Sequence, residues 1–278
     1  NKNLKWSLFL SIFTVYLLIT PWVNACFYTD GDETVYLLQT QSIIKEQDTN
    51  ITDNIARDDC ILYHPEVKWT GWKGTYTSTI LSSFLMVPGY LISGRLGASM
   101  TMNLFGGLLA LNIFLIVYFL TKSVMSSFIC MLVCAFGSPL GIYSLILYPE
   151  IIAALIVAFA IRKIIITEKS TFAEVFFLIF LSIFLIFLKE RYTFLSVVLA
   201  LTLIFKMRKN YKLIILILVI SIIGYVIFSW YDKYVWYQGI SYRMIYYVKQ
   251  FSQHKPLMNA IIGLFLDQES GLFLYAPI

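Results

Sequence analysis

Charged side chains are scarce in this sequence. Asp, Glu, Lys and Arg together make up 13% of the residues, half of the roughly 25% that keeps the surface of a soluble domain hydrated. Hydrophobic residues reach 59%, and the mean hydropathy is +0.76. The few charges are bunched, and uncharged apolar runs lie between them. This pattern excludes an ordinary soluble domain and predicts an all-α, polytopic helical membrane protein.

The sequence also lacks the short motifs of common nucleotide and zinc sites. It contains no P-loop, no Gly-rich nucleotide fingerprint and no internal repeat, and its two histidines, His64 and His254, have no partners at ligand spacing. The net charge of +5 does not indicate a nucleic-acid partner, because the basic residues lie beside apolar runs, where they mark membrane topology.

Cysteine is sparse, with four residues in the chain. Cys130 and Cys134 lie within an apolar run and are interpreted as small buried hydrophobic residues. Cys26 and Cys60 both fall in the first loop, where a disulfide would form only if the loop faces an oxidising compartment. The sequence leaves that alternative open.

The apolar runs predict about seven membrane spans. Several runs are short for a bilayer core of about 30 Å, which needs about 20 helical residues, but flanking Lys, Arg and Tyr side chains can anchor at the interface. The runs occupy residues 6–25, 98–120, 124–147, 151–166, 171–188, 192–205 and 213–230.

The segment 79–93 decides the topology, because counting it as a span reverses the orientation of everything after it. If it does not cross and the N-terminus is cytoplasmic, most lysines and arginines near the spans fall on the inner side, as the positive-inside rule favours. Pro88-Gly89 also interrupts the segment. We therefore expect an interfacial or re-entrant helix here, on the outer face.

This topology gives two outer loops, residues 26–97 and 231–278, within a single transmembrane domain spanning 1–278. Because the sequence begins without Met and ends without a polar tail, we expect it to be truncated at its C-terminus. In the first loop, the spacing of apolar residues predicts an amphipathic helix over 34–45, and residues 48–59 are predicted to be irregular. An aromatic belt suited to lipid headgroups follows, made of Trp69, Trp72, Tyr76 and Tyr90.

Three carboxylates stand where the first span emerges: Asp30, Asp32 and Glu33. Asp32 would lie at the N-terminus of the predicted helix, where backbone N–H groups and the helix dipole favour an ionised carboxylate. A simple helix cap is the alternative, but capping needs only one of the three acids. Asp32 is therefore a candidate catalytic acid–base residue, with Glu33 beside it.

Two further groups are predicted to reach the same outer face. Glu150 follows Tyr148-Pro149 between two apolar runs, and an acid so close to the membrane core indicates function unless it is a helix start exposed to headgroup water. Lys189-Glu190-Arg191 faces outward, against the positive-inside bias. Its two cations are well placed to bind a lipid phosphate. The alternative is that the triplet forms a short salt-bridged turn.

With these markers the chain resembles the GT-C class of membrane glycosyltransferases, which use polyprenyl-phosphate sugars and include protein O-mannosyltransferases and lipid A aminoarabinose transferases. Each motif is short, and the resemblance rests on their order around the spans. They are Gly31-Asp32-Glu33-x-x-Tyr36-Leu37 with Gln41-Ser42 and Asp48, Val87-Pro88-Gly89-Tyr90, Tyr148-Pro149-Glu150, and Gly263 to Gly271-Leu272 with Tyr275-Ala276-Pro277.

The resemblance implies roles for individual residues. Asp32, Glu33 and Glu150 match the acids of the family's outer loops, with Asp32 as general base. Asp30, Tyr36, Lys189, Arg191 and Asp267 become candidate substrate-binding residues, although the family often has His or Tyr with Arg where this chain has Lys189-Glu190-Arg191. A divalent cation held by Asp32 and Glu150 is a further implication, because hard carboxylate oxygens suit Mg²⁺, Mn²⁺ or Ca²⁺, although relatives differ in needing a metal.

The resulting hypothesis is an inverting transferase of the cell envelope in a bacterial inner membrane, with its site facing outward. Its partners would be a polyprenyl-phosphate-linked sugar and membrane lipids, and the acceptor would be a protein, lipid or polysaccharide. A transporter or flippase of lipid-linked sugars is one alternative, but transporters usually bury polar residues mid-span in repeated halves. A non-catalytic membrane protein whose large loop binds a partner is the other.

Overall fold

The computed structural model describes residues 2–29, 32–65, 80–167, 171–208 and 210–236. The chain divides into two compact units, Asn1–Phe228 and Ser229–Ile278, and of the second unit only residues 229–236 are described. The described residues form helices and no strand, which confirms the predicted all-α class.

Ten α-helices and two short 3-10 turns make up the described part of the chain. The 3-10 turns are Asp59–Leu62 and Glu190–Tyr192. The helices are α1 (Lys2–Cys26), α2 (Asp32–Lys45), α3 (Thr52–Ala56), α4 (Ile80–Thr121), α5 (Val124–Phe136), α6 (Leu140–Tyr143), α7 (Glu150–Ile166), α8 (Phe172–Leu188), α9 (Thr193–Lys206) and α10 (Tyr211–Trp236).

Three helical segments in the described ranges are long and apolar enough to cross a membrane: Asn3–Cys26, Ile80–Thr121 and Tyr211–Tyr231. Two shorter helices, α5 and α8, are apolar as well. Large hydrophobic side chains are exposed along several helices, as lipid contact requires; examples are Leu18, Val133, Phe194, Phe205 and Ile222. These features support a membrane-integrated protein.

Helix α4 is broken near its start. Ser93 and Gly94 leave the helical conformation, and Gly94 has a positive φ of 55°, which glycine adopts without a steric cost. At this bend a Cβ on Gly89 would lie 2.2 Å from the carbonyl oxygen of Gly97, so the two helical pieces pack backbone to backbone. The bend separates the predicted interfacial segment 79–93 from the span that follows it.

The predicted continuous span 124–147 is wrong. Helix α5 ends at Phe136, and an irregular stretch containing the single turn α6 leads to α7. The reason is local: Pro139 has no N–H to donate and restricts the residue before it, so the helix cannot continue through this point.

Side chains from other helices hydrogen-bond the backbone of this irregular stretch and its approach. The Tyr16 hydroxyl donates to the carbonyl oxygen of Ala135 at 2.6 Å, and the Asn103 amide donates to that of Ser144 at 2.7 Å. The N–H of Leu147 donates to the Glu33 carboxylate at 2.6 Å. Irregular backbone is tolerated at membrane depth only where protein groups satisfy it in this way.

Helix α2 exists as predicted, but its amphipathic character is wrong. Every residue from Glu33 to Ser42 is buried, because α4 and the loop that follows α2 enclose the helix. Its polar side chains bond within this enclosure: the Gln39 oxygen accepts from Ser83, and the Gln41 oxygen accepts from Tyr63 at 2.8 Å. Burial, followed by the hydrogen bond to Tyr90, raises the pKa of Tyr63 well above its usual value.

The structure corrects two smaller expectations for loops and cysteines and settles one alternative that the sequence left open. Residues 48–59, predicted to be irregular, contain the short helix α3 and begin a 3-10 turn. Cys26 and Cys60 are free thiols and form no disulfide. The predicted burial of Cys130 and Cys134 is wrong, because Cys130 is exposed and Cys134 half-buried on α5. Trp69, Trp72, Tyr76 and His254 lie outside the described residues.

Two hydrophobic clusters hold the first unit together. The larger joins α2, α3, α4, α7, α8, α9 and the start of α10, and the smaller joins α1, α4 and α5. Glycine permits the close contact between α1 and α4, since a Cβ on Gly106 would lie 3.0 Å from the Tyr16 ring and 2.4 Å from the Ser144 hydroxyl. The irregular stretch 137–149 therefore lies against both helices.

The bonds of Asn103 provide a stability test. Its oxygen accepts from Thr20 at 2.9 Å and its amide donates to Ser144, whereas Asn112 on the same helix donates to the carbonyl of Leu108 within its own helix. We expect Asn103→Ala to destabilise the protein by about 1 kcal/mol, a typical value for interhelical bonds in membranes, and Asn112→Ala to have a smaller effect. Thermal unfolding in detergent measures both, and equal losses would contradict this role for Asn103.

Candidate functional site

Three chain segments meet at one end of the helical bundle: the start of α2, the start of α7 and the turn between α8 and α9. They bring five polar side chains together, which we call the acid–base cluster: Asp32, Tyr36, Glu150, Lys189 and Arg191. The sequence had singled out each of them, and the structure joins them through two ion pairs.

Asp32, Tyr36 and Lys189 form a closed triangle of hydrogen bonds. The Lys189 ammonium lies 2.9 Å from Oδ2 of Asp32 and 3.1 Å from the Tyr36 hydroxyl, which is 3.2 Å from the same Asp32 oxygen. The Lys189 side chain is 16% exposed and that of Asp32 is 43% exposed. The acid is therefore the member of the triangle that an incoming molecule reaches most easily.

The Tyr36 hydroxyl acts as a donor in this triangle. Burial, together with the nearby charge of Asp32, raises the pKa of Tyr36 well above its usual value, so the phenol stays protonated at neutral pH. Tyr36 can therefore donate to Asp32 while accepting from Lys189. This arrangement fixes the direction of the Asp32 carboxylate.

The second ion pair joins Glu150 to Arg191. Glu150 is the first residue of α7 and follows Pro149, so its carboxylate lies near the positive end of the helix dipole. Its side chain is 20% exposed, and its second oxygen, Oε2, is buried without a hydrogen-bond partner among the described residues. That oxygen is an acceptor that no described group uses.

A single turn supplies both cations. Helix α8 ends at Leu188, Lys189 is extended, and the 3-10 turn Glu190–Tyr192 leads into α9. The Thr193 hydroxyl donates to the Glu190 carbonyl at 2.6 Å and closes the turn. Lys189 and Arg191, two residues apart, each bind an acid from a different helix.

Tyrosine rings border the cluster, a grouping that was not predicted from the sequence. The ring of Tyr148 packs edge-on against Tyr36 at 6.2 Å, and Tyr143 lies 5.9 Å from Tyr148. The Arg191 guanidinium lies 5.4 Å from the centre of the Tyr192 ring. These rings form an aromatic wall, and the only sequence signal for it is the high frequency of Tyr close to the site acids.

A cavity of about 700 Å³ adjoins this aromatic wall, a volume within the range typical of small-molecule sites. Tyr143 and Tyr148 line one side, and Glu33 and Arg95 bring charge to its wall. Arg95, which the sequence analysis did not select, donates to the backbone oxygen of Asn24 at 3.3 Å. The cavity thus combines apolar walls with a few polar groups.

Glu33 differs in setting from Asp32. It is 5% exposed, and its carboxylate binds the N–H of Leu147, so it holds the irregular stretch 137–149 against α2 in addition to lining the cavity. Asp30 and Asp267, together with the segment 263–275, lie outside the described residues, and their predicted roles stay predictions.

The acids of the cluster are also the predicted metal ligands. No group of three or more His, Cys, Asp or Glu side chains with metal-binding geometry occurs in the described ranges. Asp32 and Glu150 offer two carboxylates, each paired with a cation. Two carboxylates match the ligand set of Mg²⁺ when substrate phosphates supply the remaining oxygens.

Comparisons with protein-family models, curated proteins and solved structures find no match for this chain.

The pairing of Glu150 with Arg191 predicts an asymmetric response to substitution. Arg191→Gln leaves a largely buried carboxylate without its cation, and we expect a loss of about 1–3 kcal/mol of stability. Removing both charges, in Arg191→Gln/Glu150→Gln, should recover part of that loss. Lys163→Gln, in the half-exposed ion pair with Glu174, is the control and should change stability little. Thermal unfolding of the wild type, of Glu150→Gln and of these three variants measures this, and an additive double variant would show that the pair does not interact.

Proposed function

We propose that this protein is a membrane glycosyltransferase of the GT-C type, which moves a sugar from a polyprenyl-phosphate donor to an acceptor hydroxyl or amine. One observation carries the proposal: two acids, Asp32 and Glu150, converge at one end of an apolar helical bundle, each beside a cation. Tyr148, which packs against Tyr36 of this cluster, lines the nearby cavity. In this proposal the cations bind the lipid phosphate, one of the acids accepts the acceptor's proton, and the cavity holds the sugar.

Asp32 is the proposed general base. The acceptor atom attacks the anomeric carbon, the bond from that carbon to the phosphate oxygen breaks, and its electron pair leaves with the lipid phosphate. The acceptor proton passes to the Asp32 carboxylate. A single displacement of this kind inverts the anomeric carbon, and general-base assistance typically contributes about 10²–10⁴-fold to the rate.

Lys189 and Arg191 are the proposed phosphate-binding residues. Phosphate oxygens would compete with Asp32 for the Lys189 ammonium and with Glu150 for the Arg191 guanidinium, which can bind phosphate through two parallel hydrogen bonds. Displacement of Lys189 leaves the Asp32 carboxylate free to accept a proton while Tyr36 still directs it. Donor binding therefore activates the base.

A divalent cation fits the same two acids. Asp32 and Glu150 would hold Mg²⁺, Mn²⁺ or Ca²⁺ through hard carboxylate oxygens, and the buried Oε2 of Glu150 has no competing partner among the described residues. Such an ion would stabilise the charge that develops on the leaving phosphate.

The proposed setting is the inner membrane of a bacterium, with about seven spans in this chain and the acid–base cluster on the outer side. The helix α2 and the segment 80–92 would lie at the outer interface. The long apolar tail of the donor would lie among the exposed hydrophobic faces of the helices, while its sugar meets water at the cavity.

Substitution of the base tests the chemistry. Asp32→Asn should reduce transfer by about 10²–10⁴-fold with unchanged membrane insertion, because the amide cannot accept the proton. The matched control is Asp53→Asn, an exposed acid in the same loop whose partner is Arg57, which should retain activity. Mass spectrometry of glycans and lipids from a deletion strain rescued by each copy measures transfer. Full rescue by Asp32→Asn would favour a transporter or a non-catalytic role.

The proposed topology has a separate test. In a background without native cysteines, Asp32→Cys and Glu150→Cys should both react in intact cells with a membrane-impermeant maleimide, whereas Lys122→Cys and Lys212→Cys should react only after the membrane is opened. Labelling of the two acid positions from opposite sides would disprove a shared outward site.

A further inference from the structure

A second cavity, of about 480 Å³, lies at the opposite end of the bundle from the acid–base cluster. The first turns of α1, the C-terminal part of α4, residues 155–162 of α7 and residues 177–181 of α8 form its walls. The acid–base cluster, by contrast, lies at the starts of α2 and α7 and beyond the end of α8. The second cavity therefore belongs to no part of the proposed transferase site.

Apolar side chains line most of the second cavity, and those around it are open to the surroundings of the bundle. Leu111, Leu155 and Phe159 contribute to its walls. Phe177 and Trp6, at its edges, are 47% and 55% exposed. A hydrocarbon chain can therefore enter this cavity from the side, between helices, without crossing a polar barrier.

Two cations, Lys5 and Arg162, lie among the lining residues. Both are close to a helix end, since α1 starts at Lys2 and α7 ends at Ile166, which corresponds to the polar boundary of a spanning helix. The Arg162 guanidinium lies 5.1 Å from the centre of the Phe159 ring, and its Nε is buried without a hydrogen-bond partner among the described residues. In those ranges Arg162 has no salt bridge to any acid.

A buried amide adds a polar group within the cavity wall. Asn112 is 6% exposed; its amide donates to Leu108 in its own helix, and its oxygen Oδ1 has no hydrogen-bond partner among the described residues. The cavity thus contains an unused acceptor at mid-helix depth and an unused donor near its mouth. An ester or phosphate oxygen can accept from the donor of Arg162, whereas the oxygen of Asn112 needs a donor such as a hydroxyl.

We propose that the second cavity binds one anionic phospholipid, with an acyl chain between α1, α4, α7 and α8 and its phosphate at Lys5 and Arg162. Basic pockets between membrane helices are typical sites for anionic lipid headgroups, and the apolar wall matches an acyl chain. In the proposed topology this lipid belongs to the inner leaflet. The inference does not depend on the transferase reaction.

Lipid binding to the purified full-length protein tests the proposal. After delipidation in detergent, native mass spectrometry would follow the binding of phosphatidylglycerol and of phosphatidylcholine with identical chains. Both lipids carry a phosphate, but the choline cation of phosphatidylcholine would be repelled by Lys5 and Arg162. We therefore expect one phosphatidylglycerol to bind about tenfold more tightly than phosphatidylcholine, a difference of about 1.4 kcal/mol. Equal binding of the two lipids by the wild-type protein would overturn the proposal on its own, whatever the variants do.

Two pairs of variants locate the site. Arg162→Gln should remove the preference for phosphatidylglycerol, whereas Arg208→Gln should keep it, although Arg208 also lies 5.1 Å from a phenylalanine ring centre, that of Phe205. Leu111→Phe should fill the cavity and weaken both lipids, whereas Leu120→Phe, at an exposed position, should not. The same response within either pair would refute binding at this cavity.

Discussion

Backbone polar groups in an apolar environment must find partners within the protein, and this constraint shapes the region between α5 and α7. Pro139 ends regular helix in this region, and the freed groups bond to side chains of three other helices: Tyr16, Asn103 and Glu33. Because those bonds fix the path of residues 137–149, they also fix where α7 begins. The position of Glu150 therefore depends on polar contacts remote from it in sequence.

Charge is scarce in this protein, and within the acid–base cluster it is balanced. Two carboxylates and two cations alternate across the acid–base cluster, and a neutral tyrosine bridges one pair. Exposed ion pairs contribute little to stability. The half-buried pairs of this cluster are better explained by an anionic ligand that takes the place of the acids beside the cations. When an anionic ligand takes over the cations, the position of both acids at helix starts offsets part of the cost of separating each pair, because the dipole there favours negative charge.

Features set by short stretches of sequence were predictable, and features set by tertiary contacts were not. The start of α2 at Asp32, the start of α7 at Glu150 and the turn at Lys189-Glu190-Arg191 follow from charge and proline placed between apolar runs. The burial of α2 on all sides could not be predicted, since it depends on Ser83 and Tyr63, which come from distant segments. The bond between Glu33 and Leu147 and the tyrosine wall could not be predicted for the same reason. Which cation pairs with which acid could also be learned only from the three-dimensional structure.

In the hairpin of α8 and α9, the turn at the apex carries both Lys189 and Arg191, so an insertion or deletion in either helix moves both cations. Each residue advances a helix by about 100°, since a turn takes about 3.6 residues. Adding one residue within α8 would rotate the apex and withdraw both cations together, whereas adding one early in α1 would leave both pairs in register. Changes in the length of this hairpin should therefore be far rarer in natural variants than changes of side chain on its lipid-facing surface.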